Sequence, residues 1–239
     1  MRVNRVEYAL AFRAALPYPI PMKPLIAIAF ALAALGSAQP SAAAEPPTVR
    51  VRLETSAGTI TLALDAKHAP QTVASFMEYV DDGRLDGTEF YRASRSKAAP
   101  NQGFIQGGIG TNPRRKLPAT LFEGTDKTGL SHVDATVSMA HGDSADIATC
   151  NFTLLVGPLP WLDARPGSPG YAAFGKVIGG MPVVKRILAL PTGGGTGAMR
   201  GQMLFKPIII KRAVRLDGVA KPTGRPKTWL MELPRRKGR

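Results

Sequence analysis

Thr88-Glu89-Phe90-Tyr91-Arg92, a polar loop, and then Gly103-Phe104-Ile105-Gln106-Gly107-Gly108 form the stretch that decides the fold. Two short apolar runs with strand character carry one arginine and one glutamine, each flanked by aromatic residues. Joined by a loop, two such strands bring the arginine and the glutamine to one face. An arginine over an aromatic floor, beside an amide and glycine-exposed backbone N–H groups, can bind a neutral peptide carbonyl or amide. That chemistry needs no acid, base or nucleophile.

Upstream, Val49, Val51 and Leu53 alternate with Arg50, Arg52 and Glu54; after Ala57-Gly58, Ile60, Leu62 and Leu64 alternate with Thr59, Thr61 and Ala63. This period of two predicts a hairpin with one buried face. Pro70 then opens a run in which Val73, Phe76, Met77 and Val80 fall at i, i+3, i+4 and i+7, and Gly83 stops it, which predicts an amphipathic helix. Downstream, short apolar runs at 90–93, 104–106, 136–140, 152–156 and 172–177 read as strands, separated by polar loops at 94–102, 111–116, 141–149 and 165–170. A second helix is expected from Pro182, burying Val183, Val184, Ile187 and Leu188 before Pro191; Gly193-Gly194-Gly195 reads as a flexible turn and 205–213 as a last strand. The pattern is mainly β with two helices.

The chain of 239 residues, 44% hydrophobic, suffices for one substantial core and carries a net charge of +14. Such charge suits acidic partners, but the excess is scattered and no nucleic-acid module or run of stacking aromatics accompanies it, so no specific nucleic acid is expected. The single Cys150 excludes an internal disulfide and a cysteine-based zinc site. Of His68, His132 and His141, none shows the spacing of a metal pair. His141, Asp143 and Ser144 could be assembled into a hydrolase on paper, but no nucleophile-elbow pattern surrounds the serine. Lys23, the 11-residue apolar run at 25–35 and the small residues through Ala44 read as a secretory signal, too short to span a bilayer at ~20 residues. Three segments follow: 1–44 as an upstream extension plus cleaved signal peptide, 45–216 as the folded domain, and 217–239, rich in Pro, Gly, Lys and Arg, as a disordered basic tail.

With Val137-Ser138-Met139-Ala140, Asn151-Phe152, Trp161-Leu162-Asp163 and Phe174-Gly175-Lys176-Val177 in the same order, the opening stretch resembles the cyclophilins, barrel-shaped peptidyl-prolyl cis/trans isomerases (rotamases). The resemblance covers residues 48–214. It implies a closed, eight-stranded antiparallel barrel capped by two helices, and isomerisation of X-Pro bonds without metal or cofactor. Arg92 matches the family's catalytic arginine and Gln106 its site glutamine. Phe104, Ala140, His141, Asn151, Phe152, Thr153, Trp161, Leu162 and Tyr171 are implied as substrate-binding, with Leu162 lining the proline pocket and Trp161 its rim.

Several positions depart from the family pattern. Phe104 stands where the family commonly has methionine, Gly103 where it has phenylalanine, Asn151 where it has a second glutamine, Thr153 where it has an aromatic and Tyr171 where it has histidine. The expected partners are proline-containing segments of exported proteins, with an anionic surface for the basic tail. The protein is expected to be a periplasmic or otherwise extracytoplasmic monomer. A cyclophilin-like binding module or chaperone with weak isomerase activity is the alternative, and an envelope scaffold acting through its tail is a third reading.

Overall fold

The computed structural model describes residues 47–231 apart from 143 and 145–147. The expected leader and the last basic residues, 232–239, lie outside the described residues. The hairpin forms as the alternation requires: β1 (Thr48–Thr55) pairs with β2 (Gly58–Asp65) in antiparallel register, Val51 opposite Leu62. Successive side chains of a strand point to opposite faces, so Val49, Val51, Leu53, Ile60, Leu62 and Leu64 all go inward and are fully buried.

The remaining strands are β3 (Thr88–Arg95), β4 (Gly103–Gly108), β5 (Thr136–Met139), β6 (Asn151–Val156), β7 (Ala172–Gly179), the two-residue β8 (Thr192–Gly193) and β9 (Met203–Arg215). Their order is β1-β2-β7-β5-β6-β4-β3-β9, and β9 returns to pair with β1, closing an eight-stranded antiparallel barrel. Among the described residues, closure leaves no long strand edge unpaired.

Helix α1 (Pro70–Asp81) begins on the proline, and α3 (Met181–Leu188) begins one residue before Pro182. Val73, Phe76, Met77 and Val80 of α1 and Val183, Val184, Ile187 and Leu188 of α3 join the barrel interior in one apolar core. Arg95 of β3 donates to the carbonyls of Leu188 (2.7 Å) and Leu190 (2.8 Å), pairing groups that the end of α3 leaves without helical partners. A third, single-turn helix, α2 (Thr125–Thr128), lies in a connection where no helix was expected.

The register shifts between Phe90 and Arg92 in both of β3's pairings. Phe90 faces Gly107, and the next pair is Arg92 with Gln106, so Tyr91 is the extra residue of a β-bulge. Regular alternation would turn Phe90 and Arg92 to the same side. With the bulge, Phe90 stays in the core while Arg92 emerges on the outer wall.

The segment from Asp217 differs from the expectation of a disordered tail, because Asp217 to Met231 is held against the barrel. Asp217 accepts from Arg50 (2.7 Å), and Thr223 donates to Asp82 through both its N–H (2.8 Å) and its hydroxyl (2.6 Å). The Trp229 ring lies 4.5 Å from the Arg84 guanidinium and 5.4 Å from that of Arg115. The cause is the end of α1, where Asp81 and Asp82 carry almost fully buried carboxylates that need donors. A count of charges in the tail does not register those acceptors.

Candidate active site

On the outer wall, β4 and β6 pair with Phe104 opposite Leu155, Gln106 opposite Thr153 and Gly108 opposite Asn151. These alternate residues share one face, and the residues between them, Ile105, Phe152 and Leu154, point into the core. Phe152, implied as substrate-binding, is therefore corrected to a core residue. It is fully buried, and its ring meets Phe76 at 5.3 Å and Phe90 at 5.6 Å between centroids.

Arg92 reaches this face through the β3 bulge. Its Nη1 donates to Gln106 Oε1 (2.8 Å), its Nε to Gln202 Oε1 (2.9 Å) and its Nη2 to the Ala198 carbonyl (3.1 Å). The guanidinium carbon sits 5.1 Å from the centre of the Phe104 ring. Burial lowers the Arg92 pKa, but from so high a starting value that the group stays charged at neutral pH. Gln106 in turn donates from Nε2 to the Tyr91 hydroxyl (3.0 Å), whose pKa burial pushes up to about 12. The guanidinium is thus held in plane by three acceptors. Two of its five N–H bonds remain free of these contacts.

Beside it, Phe104, Leu155, Leu159 and Leu162 form an apolar cluster separate from the barrel core, with Tyr171 packed against it. Phe104 and Tyr171 supply the aromatic surface that the family pattern would place at 103 and 153. Thr153 occupies the same face as a small, nearly buried residue. Trp161, on the same loop as Leu159 and Leu162, is 55% exposed, and its carbonyl accepts from Arg165. A groove of ≈ 820 Å³ continues from Gln106 along Glu89, Tyr91, Asn112, Ala140, His141, Asn151, Met199 and Met203.

Three members of the implied set, Asn151, Ala140 and His141, have their polar groups engaged within the protein. Asn151 directs its carboxamide at Gly110, accepting from its N–H (2.8 Å) and donating to its carbonyl (2.9 Å), so the amide fixes the groove wall rather than reaching out to a ligand. The Ala140 N–H is already bonded to the Asn151 carbonyl (2.7 Å). His141 stacks on Tyr171 at 4.4 Å, and its two ring nitrogens face the carbonyls of Gly142 and Gly170 (each 2.8 Å), not Ser144. Among the described residues no group of three or more His, Cys, Asp or Glu could hold a metal.

Sequence reasoning missed Gln202, Ala198, Met199 and Met203. They lie in or beside the glycine-rich segment read as a flexible turn. Only closure of β3 on β9, with Arg92 opposite Met203, brings them to the site.

A fixed guanidinium at the lip of an apolar socket, on the wall of a closed eight-stranded barrel, fits the family pattern, and the comparisons agree. Residues 50–214 match the family described as cyclophilin type peptidyl-prolyl cis-trans isomerase/CLD. The chain belongs to this family. It is similar to peptidyl-prolyl cis-trans isomerase A of Dickeya dadantii, 34% identical over 80% of this chain and 96% of that protein. A peptidyl-prolyl cis-trans isomerase of Acinetobacter baylyi is 35% identical over 72% of this chain and 88% of its own length. A Cryptosporidium parvum cyclophilin solved in the presence of the dipeptide Ala-Pro shares the fold, with a TM-score of 0.56 and 21% identity over 71% of this chain and 99% of that one. This cyclophilin is accordingly a peptidyl-prolyl cis-trans isomerase.

Proposed function

We propose that this isomerase works by directing Arg92 at the prolyl nitrogen of an X-Pro bond whose ring sits in the Phe104–Leu162 socket. The planar amide resists rotation by ~18–20 kcal/mol because its C–N bond has partial double-bond character. Twisting breaks the conjugation and returns a lone pair to nitrogen. A donor aimed there stabilises the twisted state more than either planar isomer, which is catalysis by differential binding and needs no covalent step. The observation that carries the proposal is the anchoring of Arg92 by Gln106, Gln202 and the Ala198 carbonyl, which leaves N–H bonds for substrate.

The Ala-Pro dipeptide present with the Cryptosporidium parvum cyclophilin supports a proline-containing ligand for this socket. We further propose that the clients are exported proteins met in the periplasm, on the strength of the apolar run at 25–35 and the small residues after it. Exposed Arg225 and Lys227 supply cations for an anionic surface.

An isomerisation assay on a proline tetrapeptide tests the mechanism. Arg92→Ala is expected to lower kcat/KM at least about 100-fold, ~2.7 kcal/mol, and Arg92→Lys to recover little, because a flexible ammonium cannot replace the planar fork. Clear wild-type activity that survives Arg92→Ala would refute the role given to Arg92. A wild type that binds the peptide without turnover would favour a binding module.

A further inference from the structure

His132 lies outside the groove, and nothing in the mechanism above uses it, yet it touches both sides of the proline socket. Its backbone carbonyl accepts from the Leu159 N–H (2.8 Å) and its own N–H donates to Asp163 Oδ1 (3.0 Å), so it holds both ends of the loop that carries Leu159, Trp161 and Leu162. The imidazole repeats the tie: Nδ1 is 2.6 Å from Asp163 Oδ1, and Nε2 is 2.7 Å from Ser138 Oγ. Ser138 belongs to β5, opposite Thr153 of the site face, and the next two residues run into Ala140 at the groove.

His132 and Ser138 are each only 1% exposed. Burial lowers the His132 pKa and favours the neutral ring. A carboxylate can only accept, so the one ring proton sits on Nδ1, and Nε2 accepts the Ser138 hydroxyl proton. Every direction in the chain Ser138–His132–Asp163 is thereby fixed. The same order of contacts occurs in serine hydrolases, but at 1% exposure Ser138 has no access to a substrate carbonyl.

We propose that His132 is a positioning residue for isomerisation, a buried clamp that sets the distance between the loop bearing Leu162 and the β5–β6 floor beside Gln106 and Arg92. The inference rests on the reading of the Phe104–Leu162 socket as the proline pocket. Rotation about the X-Pro bond requires the ring to be held while the donor is aimed at its nitrogen, and displacement of the order of 1 Å between ring and donor can cost about 100-fold. Loosening the clamp leaves an apolar socket that still takes a proline ring but presents it to Arg92 at the wrong distance. The effect therefore falls on kcat more than on KM.

The experiment compares wild type, Arg92→Ala, Asp163→Ala, Asp163→Asn and Ser138→Ala on one proline tetrapeptide, with kcat and KM separated. Each variant is assayed well below its own measured Tm. Asp163→Ala is expected to lower kcat at least tenfold with KM within threefold. Asp163→Asn, which still offers an oxygen to Nδ1–H, is expected to recover to within threefold of wild type. Ser138→Ala is expected to lower kcat at least fivefold, and to add less than twofold in the Asp163→Ala background, since both act through one imidazole.

Should Asp163→Ala fail to fold, Ser138→Ala, which deletes one oxygen, still decides the matter. Folded Asp163→Ala or Ser138→Ala with wild-type kcat would overturn the clamp while Arg92→Ala, if inactive, upholds the site. If Arg92→Ala is as active as wild type, the site reading falls and the clamp falls with it.

Discussion

Three acceptors from separate parts of the chain fix Arg92, and Gln202 is the one that arrives from the glycine-rich segment before β9. Its backbone carbonyl accepts from the Ala93 N–H (2.9 Å), so the segment stays attached to β3 even if the side chain is removed. Gln202→Ala should therefore spare the fold and release only Nε of the guanidinium. A hydrogen bond to a charged group contributes about 1.5–3 kcal/mol, less at a half-exposed site. A fall in kcat/KM of about tenfold is expected, and an unchanged value would show that Gln106 and the Ala198 carbonyl hold Arg92 unaided. His132 gives a second prediction at this scale. Its folded pKa is lowered, chiefly by burial and against the opposing pull of Asp163, so the unfolded chain takes up the proton first as pH falls. Stability is then lost from about pH 6.5 downward and levels off below the folded pKa. Urea midpoints between pH 7.5 and 4.5 should show this loss in wild type and a smaller one in His132→Gln; equal slopes would mean that His132 carries no such linkage.

At the scale of elements, the β3–β4 pair does two jobs through one irregularity. The bulge at Tyr91 turns Arg92 outward, and Gly107 opposite Phe90 gives that ring its room in the core. A methyl group on Gly107 would lie 2.6 Å from Phe90 Cδ1 and 2.8 Å from the Glu89 carbonyl, closer than atoms tolerate. Gly107→Ala must push the two strands apart, and overpacking of this kind costs about 1–3 kcal/mol. We expect thermal unfolding to come several degrees lower, together with a loss of kcat/KM, because the displaced strand carries Gln106 away from Arg92. Normal activity in a destabilised Gly107→Ala protein would separate the packing role of this glycine from the catalytic geometry.

For the whole molecule, the packed segment from Asp217 to Met231 makes the carboxylates at the end of α1 and the cations Arg84 and Arg115 part of one assembly. Asp82 keeps a lowered pKa although burial alone would raise it, because donors from Thr223 and Arg84 outweigh the desolvation. Deleting residues 217–239 removes Thr223 and Trp229 and opens that carboxylate to water. The loss is expected to be about 2–3 kcal/mol, a Tm about 5–10 °C lower at roughly 2–4 °C per kcal/mol. Among the described residues, none of those deleted lines the groove, so kcat/KM of the folded remainder should stay within about threefold. A truncated protein with wild-type Tm would show that these contacts contribute nothing net.

What the sequence determined by itself was whatever repeats locally. Alternation in 49–64 wrote the first hairpin, the 3.6-residue spacing after Pro70 wrote α1, and Arg92, Gln106 and Leu162 were legible because short motifs keep residue types in order along the chain. Tertiary structure alone decided three things. The bulge at Tyr91 breaks the period of two that places side chains, so no alternation could assign Arg92 to the outer face. Phe152 and Thr153 are neighbours in sequence, and only the register of β6 on β4 sends one to the core and the other to the site. Gln202 is separated from Arg92 by |i−j| = 110, and Thr223 from Asp82 by 141. Contacts at such separation follow from closure of the barrel and from buried charges in need of partners, and neither leaves a local pattern in the chain.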